Sequence, residues 1–191
     1  MKKVMFNDKY GLIKAVLSGY KTVTRRIMNR QPDPDDIAYM EPKDYPCQPP
    51  YKVGEIVAVA QCYADIHSEL MIGDFGDARY DSFKNAVVHD KAGWHNKMFV
   101  QADLMPHQVR VTSVRPERLQ DITEEDCLKE GLEWQHGVNM FYVNYNRTNN
   151  SRELLGDTPR EAFASLMDKI SGRGTWERNP FVWRIEFKLV K

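Results

Sequence analysis

The sequence predicts an α+β fold in which a small, partly closed β-barrel carries short helices at its ends. Three observations favour this fold class. A continuous apolar run over residues 56–60 is typical of a strand that is buried on both faces. Strict alternation over residues 181–189 is typical of a strand with one buried face. Three short helical patterns interrupt the strands at irregular spacing, which disfavours a doubly wound sheet.

The helices are predicted from their end signals as well as from their apolar faces. Over residues 8–18, apolar side chains recur at helical spacing, and Gly19 occupies the position that commonly ends a helix. Thr123 is a natural N-cap for a second helix, whose acidic first turn complements the helix dipole. The sequence TPRE at residues 158–161 is a capping box with proline at the first helical position, and Gly172 ends this third helix.

Further strands are predicted at about residues 20–27, 97–102 and 107–115. The segment 31–50 contains six prolines and is predicted as a loop, because proline cannot join the interior of a sheet. In the last strand, the face with the aromatic residues is predicted to pack in the core. The other face carries the polar residues, including Arg184.

Composition and charge limit the classes of function. Hydrophobic residues make up 42% of the chain and charged residues 28%, which is ordinary for a globular protein. The 27 basic and 27 acidic residues give a formal net charge of zero, so there is no global basic excess for coating nucleic acid. Any RNA-binding surface must therefore be a local cluster.

The cysteines and the apolar segments favour a cytoplasmic protein. The three cysteines lie far apart, as expected in a reducing compartment. Neither the cysteines nor the five histidines show the spacing of zinc ligands, so no metal or cofactor is predicted. The first residues do not form a signal peptide, and no apolar stretch is long enough to span a bilayer.

A short motif gives the first indication of function. The sequence GYKTVTRR at residues 19–26 has the pattern Gly-x-Lys-x-x-Thr-x-Arg, which resembles the signature of the ASCH domains of the PUA-like superfamily. Residues 54–59 resemble the glycine-acid turn of that family into a barrel strand. Residues 121–131 resemble its central helix, and residues 183–187 resemble its closing strand. The resemblance extends over about half of the chain, in family order.

The resemblance implies a single PUA-like domain over residues 1–191, with a cleft beside a β-barrel that recognises RNA or a nucleoside. Relative to compact members of the family, the segments at about 28–50, 64–96 and 132–157 are insertions. These insertions are expected to reshape or cover the cleft.

One bacterial branch of the family consists of acetylcytidine amidohydrolases, which use a lysine and a threonine of this motif and a glutamate from the helix. Carried over by motif, these positions are Lys21, Thr24 and Glu130. Many other members have glutamate where Thr24 stands, so the threonine favours the hydrolase branch.

These residue types suit the removal of an acyl group from an amine. Lys21 is the expected base, because desolvation and the nearby charges of Arg25 and Arg26 lower the pKa of a lysine. Thr24, or a water that it holds, is the expected nucleophile, and Glu130 exchanges a proton with the leaving amine. Positions three apart in a strand face opposite sides, so Lys21 and Thr24 converge only if Lys21 precedes the strand or a bulge intervenes.

Other interpretations of the same residues remain open. Arg25 and Arg26 are expected to contact substrate or RNA phosphates, but a solvated strand face also explains them. Trp176 is a candidate for stacking on a base and Arg173 for reaching a phosphate, although a tryptophan there also suits the core. The competing functions are a non-catalytic RNA-binding module and a metal-independent ribonuclease.

Overall fold

A computed structural model of the chain describes residues 1–33, 35, 40–41, 44–72, 83–84, 87, 92–144 and 152–190. The β-strands are β1 (Lys3–Val4), β2 (Val23–Ile27), β3 (Ile56–Val59), β4 (Gln108–Arg118), β5 (Glu133–Gln135), β6 (Met140–Asn144), β7 (Arg152–Gly156) and β8 (Phe181–Leu189). The α-helices are α1 (Leu12–Leu17), α2 (Tyr63–Ile72), α3 (Glu124–Lys129), α4 (Pro159–Ser171) and α5 (Thr175–Arg178). The fold is therefore mixed α and β, as predicted.

The strands form two sheets. The larger sheet has the order β1-β3-β4-β8-β2, in which β1 pairs parallel with β3 and the pairs β3–β4 and β2–β8 are antiparallel. Strands β1 and β2 lie at its two edges, so the pairing among the described strands leaves this sheet open. The smaller sheet is the antiparallel meander β5-β6-β7, with a register irregularity at Phe141 and Tyr142.

The chain forms two compact units, and each is described by itself. Unit 1 comprises Met1–Phe6, Ile56–Arg110 and Leu189–Lys191. Val57, Ala58, Val59 and Ala60 have no exposed surface, which confirms the prediction of a strand that is buried on both faces. Around them lies an apolar core of Ala58, Ala60, Tyr63, Ile66, Phe83, Val87, Val100 and Met105.

Unit 2 comprises Asn7–Glu55 and Val111–Lys188 and contains every sequence-predicted site residue. Helix α4 packs against β7, α3 and α5 with its buried face of Ala162, Phe163, Leu166 and Met167. This amphipathic helix fixes the positions of α3 and of the small sheet within the unit.

The predicted helix ends are confirmed. The Thr123 hydroxyl accepts a hydrogen bond of 3.2 Å from the Asp126 amide at the start of α3. At α4, both hydrogen bonds of the capping box between Thr158 and Glu161 are present. Gly19 follows the C-cap of α1 with a φ of +79°, a conformation in which a residue with a Cβ atom is strained.

One strand prediction is wrong, and another strand begins three residues later than predicted. The segment predicted as a strand at 97–102 instead forms the 3-10 turns Lys97–Phe99 and Ala102–Leu104. The Asn96 side chain accepts a hydrogen bond from the Met98 amide, and this local bond competes with strand pairing. The strand predicted at 20–27 begins only at Val23, because the chain first turns after Gly19.

The predicted insertions have structure of their own. The segment 132–157 contains the whole small sheet, and the segment 64–96 contains most of α2. The described residues of 28–50 form no strand, whereas residues 34, 36–39, 42–43, 73–82, 85–86, 88–91 and 145–151 of the predicted insertions lie outside the described residues. Within the described ranges, no helix combines the length and the apolar character needed to cross a membrane.

Candidate functional site

Lys21 lies on the connection between α1 and β2 rather than in the strand. Its amide donates to the Ala15 carbonyl over 2.9 Å, and the next amide, of Thr22, donates to the Lys129 carbonyl over 2.9 Å. The connection is therefore held against both α1 and the end of α3. This position meets the geometric condition that the sequence set for Lys21 and Thr24 to approach each other.

The Lys21 ammonium is buried and bonded to Glu130. Only 1% of the lysine side chain is exposed, and Nζ donates over 2.8 Å to the carbonyl oxygens of Val23 and Glu130. A third hydrogen bond joins Nζ to Oε2 of the Glu130 carboxylate. Three acceptors match the three N–H donors of an ammonium group.

A glycine brings Glu130 to Lys21. Glu130 is the C-cap of α3, and Gly131 follows it with a φ of +99°. A Cβ atom at Gly131 would lie 3.2 Å from the Ala15 Cβ and 3.5 Å from the Lys21 Cβ. The missing side chain therefore lets the end of α3 approach α1 closely.

The surroundings lower the pKa of the Lys21 ammonium. Burial is the largest cause, because removing a charge from water favours the neutral amine. The positive charges of Arg26 and Arg25 act in the same direction, whereas Glu130 acts against them. The net lowering makes the neutral amine, which is the form that accepts a proton, easier to reach than in a lysine in solvent.

Arg25 joins Glu130 to two further carboxylates. Its Nε donates to Glu117 over 2.7 Å, and its two terminal nitrogens donate to Glu130 over 3.1 Å and to Asp126 over 2.8 Å. Arg25 is 5% exposed, so these hydrogen bonds lie in a dry environment. The contacts place Arg25 as a support for the Glu130 carboxylate.

Asp126 binds a second arginine. Arg184 donates from Nε to Oδ2 over 2.6 Å and from a terminal nitrogen to Oδ1 over 2.9 Å, and it also bonds Glu186. The hydrogen bonds from Arg184 are the main reason why the pKa of Asp126 lies far below its usual range. In turn, Asp126 is the main reason why the pKa of Arg184 is raised.

We name Lys21, Arg25, Glu117, Asp126, Glu130 and Arg184 the buried ion network. The sequence did not predict Glu117, Asp126 and Arg184 as members, and its alternation indicated a polar strand face for Arg184. Arg184 is 5% exposed because Asp126 covers that face. The sequence contains a signal for the burial of Arg184, because the residue lies in the middle of a strand between the apolar residues Trp183 and Ile185.

Thr24 lies on the other face of β2. The register pairs Arg25 with Arg184, Thr24 with Ile185 and Arg26 with Trp183, so Thr24 faces away from the buried ion network. The threonine is 6% exposed, and its hydroxyl makes no hydrogen bond to the residues that the structure describes. Lys21 Nζ nevertheless binds the Val23 carbonyl, which belongs to the peptide unit that leads into Thr24.

The face with Thr24 also carries Trp183 and Arg26. Trp183 is 4% exposed, and its indole Nε1 has no hydrogen-bond partner in the described part of the chain. The Tyr45 ring packs edge-on against Trp183, with centroids 5.5 Å apart. The pKa of Arg26 is lowered by burial, while Tyr51 and Glu130 act against this.

Trp176 and Arg173 have other contacts. The Trp176 ring packs edge-on against Phe163 at 6.1 Å, and its amide donates to Asp168 over 2.8 Å, so it anchors α5 to α4. Arg173 is exposed, and its backbone carbonyl accepts a hydrogen bond from Arg178. Within the described part of the chain, neither residue forms a hydrogen bond, an ion pair or a ring contact with Lys21, Thr24 or Glu130.

The geometry therefore brings together a lysine and a glutamate from positions 109 residues apart, whereas the Thr24 hydroxyl lies on the other face of β2. No group of three or more His, Cys, Asp or Glu side chains within the described ranges is arranged to hold a metal ion. Comparison of the chain with protein-family models, with curated proteins and with solved structures found no match in any of the three.

Proposed function

We propose that the protein binds RNA or a modified nucleoside and removes the acyl group from an acylated cytidine. The single observation that carries this proposal is the buried hydrogen bond between Lys21 Nζ and the Glu130 carboxylate. Both residues are the positions that the ASCH-like motif assigns to the reaction. The proposal includes the finer description of the fold, a PUA-like, partly closed barrel with an ASCH-type cleft.

The lowered pKa of Lys21 supports its role as the base. In the proposed first step, the neutral Lys21 amine takes a proton from a water, or from the Thr24 hydroxyl if substrate binding turns Thr24 from the opposite face of β2. The oxygen attacks the acyl carbon, the carbon–nitrogen bond breaks, and the leaving nitrogen receives the proton through Glu130. If Thr24 is acylated, a water hydrolyses the ester, so the balance is amide plus water giving carboxylic acid plus cytidine.

One unsatisfied polar group supports a ligand on the Thr24 face of β2. A buried polar atom without a hydrogen bond costs about 1 to 3 kcal/mol. The buried Trp183 indole N–H lies on the same sheet face as Thr24 and lacks a partner among the described residues. A nucleoside carries both hydrogen-bond acceptors and donors, so its binding there would recover part of this cost.

The decisive experiment measures the release of cytidine from acetylcytidine by the wild type and by Lys21→Met. General base catalysis contributes about 10²- to 10⁴-fold, so we expect a rate loss of that size in Lys21→Met. Lys129→Met, at an exposed lysine of α3, is the matched control and should keep full activity. The wild-type kcat/KM should rise with pH until Lys21 is deprotonated, because only the neutral amine accepts a proton.

Further variants separate the roles of the residues. Glu130→Gln should lower kcat, while Thr24→Ser should keep most activity and Thr24→Val should lose it if the hydroxyl is the nucleophile. Circular dichroism and thermal unfolding of Lys21→Met establish that a loss of activity is not a loss of fold. Equal activity of wild type and Lys21→Met would refute the assignment.

The competing functions have their own readouts. A non-catalytic module would leave acetylcytidine intact and bind RNA with an affinity that falls with salt, because each phosphate contact releases counterions. A ribonuclease would cut labelled single-stranded RNA in the presence of a chelator. Either result without release of cytidine would replace the amidohydrolase proposal.

A further inference from the structure

A concave site in unit 2 lies between α1 and the small sheet. It has a volume of about 270 Å³ and is lined by Lys14, Ser18, Tyr20, Glu133, Tyr142 and Arg152. We name it the α1 pocket. None of these residues belongs to the buried ion network, although Tyr20 precedes Lys21 in the chain.

The α1 pocket presents two cations. Lys14 and Arg152 are both exposed, and neither forms an ion pair with a carboxylate among the described residues. The Arg152 guanidinium lies over the Tyr142 ring, 4.8 Å from its centroid. This cation–π contact holds the guanidinium at Tyr142, and the forked N–H donors of an arginine suit a bidentate contact with a phosphate.

The remaining side chains of the α1 pocket suit the hydroxyl groups of a sugar and an aromatic base. The Tyr142 hydroxyl donates to Glu133 Oε2 over 3.0 Å, which holds a carboxylate oxygen in the α1 pocket. Carboxylates at nucleotide sites commonly accept hydrogen bonds from ribose hydroxyls. Tyr20 is 63% exposed, an unusual exposure for so large a ring, and it offers a stacking surface.

The charge of the α1 pocket favours an anion. Among the described residues that line it, two cations and one carboxylate leave a net charge of +1. The carboxyl end of α1 contributes about half a negative charge, which is smaller than either cation. The volume lies just below the range of about 300 to 1,000 Å³ for drug-sized ligands, so the ligand is small.

We propose that the α1 pocket binds a nucleoside monophosphate. Lys14 and Arg152 hold its phosphate, Glu133 accepts a hydrogen bond from a sugar hydroxyl, and Tyr20 packs against its base. This proposal does not depend on the amidohydrolase proposal, because the residues of the two sites are different.

Calorimetric titration with cytidine 5′-monophosphate, cytidine and inorganic phosphate tests the proposal. We expect the monophosphate to bind, cytidine to bind at least tenfold more weakly, and inorganic phosphate to compete with the monophosphate. Arg152→Ala and Lys14→Ala should each weaken binding of the monophosphate by about tenfold or more, because each removes a charge-assisted contact. Tyr20→Ala should weaken it less.

A control variant separates the charge of the α1 pocket from charge elsewhere. Lys188→Ala removes an exposed lysine of β8 outside the α1 pocket and should leave the affinity unchanged. Binding is measured separately from the release of cytidine, so a failure of the amidohydrolase proposal is distinguishable from a failure here. Equal affinity for cytidine and its monophosphate, or an unchanged affinity in both Arg152→Ala and Lys14→Ala, would overturn the inference.

Discussion

The core of unit 1 and the buried ion network of unit 2 both exclude water. The core consists of apolar side chains, whereas the network consists of charged ones. Ile66 is 1% exposed in an apolar core, while Lys21, Arg25 and Arg184 are 2%, 5% and 5% exposed. The apolar core is stabilised by removing hydrocarbon from water. Replacing a buried ion cluster with apolar residues is often neutral or stabilising, so the charges have no evident advantage for stability. The comparison therefore favours a functional reason for the charges around Lys21.

The largest effect should come from Asp126→Ala, which leaves Arg25 and Arg184 without their shared carboxylate. Removing one partner from a buried ion cluster costs about 3 to 5 kcal/mol, because the remaining charges stay buried. Urea unfolding should show this loss in the free energy of unfolding. Glu125→Ala, which removes an exposed acid from the same helix, should cause no measurable change. A loss of less than about 1 kcal/mol in Asp126→Ala would contradict the comparison.

The apolar core should respond in proportion to the volume that is removed. We expect Ile66→Ala to lower the free energy of unfolding by about 2 to 5 kcal/mol and Ile66→Val by about 0.5 to 1.5 kcal/mol. The reason is that each lost methyl group leaves part of a cavity. Urea unfolding of both variants checks the gradation, and equal losses would show that Ile66 does not act through packing.

Acidification should lower the contribution of the buried ion network to stability but not that of the apolar core, with a smaller effect than the substitutions above. The pKa of Asp126 is far lower in the folded chain than its unfolded value of about 4, so the folded state binds fewer protons. Its contribution to stability is therefore complete above about pH 4 and declines as the pH falls through the folded pKa.

The measurement is urea unfolding at a series of pH values from neutral to about pH 2. The difference between wild type and Asp126→Asn should shrink below about pH 4, because protonation of the carboxyl removes what the substitution removes. Ile66→Val changes no titratable group, so its difference from wild type in the free energy of unfolding should stay constant over this pH range. A constant difference for Asp126→Asn would show that Asp126 does not titrate with folding.

Local signals in the sequence were sufficient for the helix ends. Thr123 and Thr158 cap helices because their hydroxyls bond amides only three residues away, and such contacts are readable from spacing. The strand at 97–102 was not predictable in this way. A strand needs a partner from elsewhere in the chain, whereas Asn96 needs only Met98 to form a turn.

The candidate site was partly predictable. The resemblance identified Lys21, Thr24 and Glu130, and Arg25 was predicted as a nearby charge. The structure brings Lys21, Arg25 and Glu130 into hydrogen-bond contact. It did not indicate that Asp126 pairs with two arginines, because an acid in the first turn of a helix is already explained by the helix dipole.

By itself the sequence determined the helix caps, the doubly buried strand β3 and the identity of a lysine-containing motif, since each depends on neighbours along the chain. Only the tertiary structure decided that Lys21 and Glu130, 109 residues apart, form a hydrogen bond. It also decided that Thr24 lies on the other face of β2. These outcomes depend on the register of β2 against β8 and on the close approach at Gly131, which are set by long-range packing.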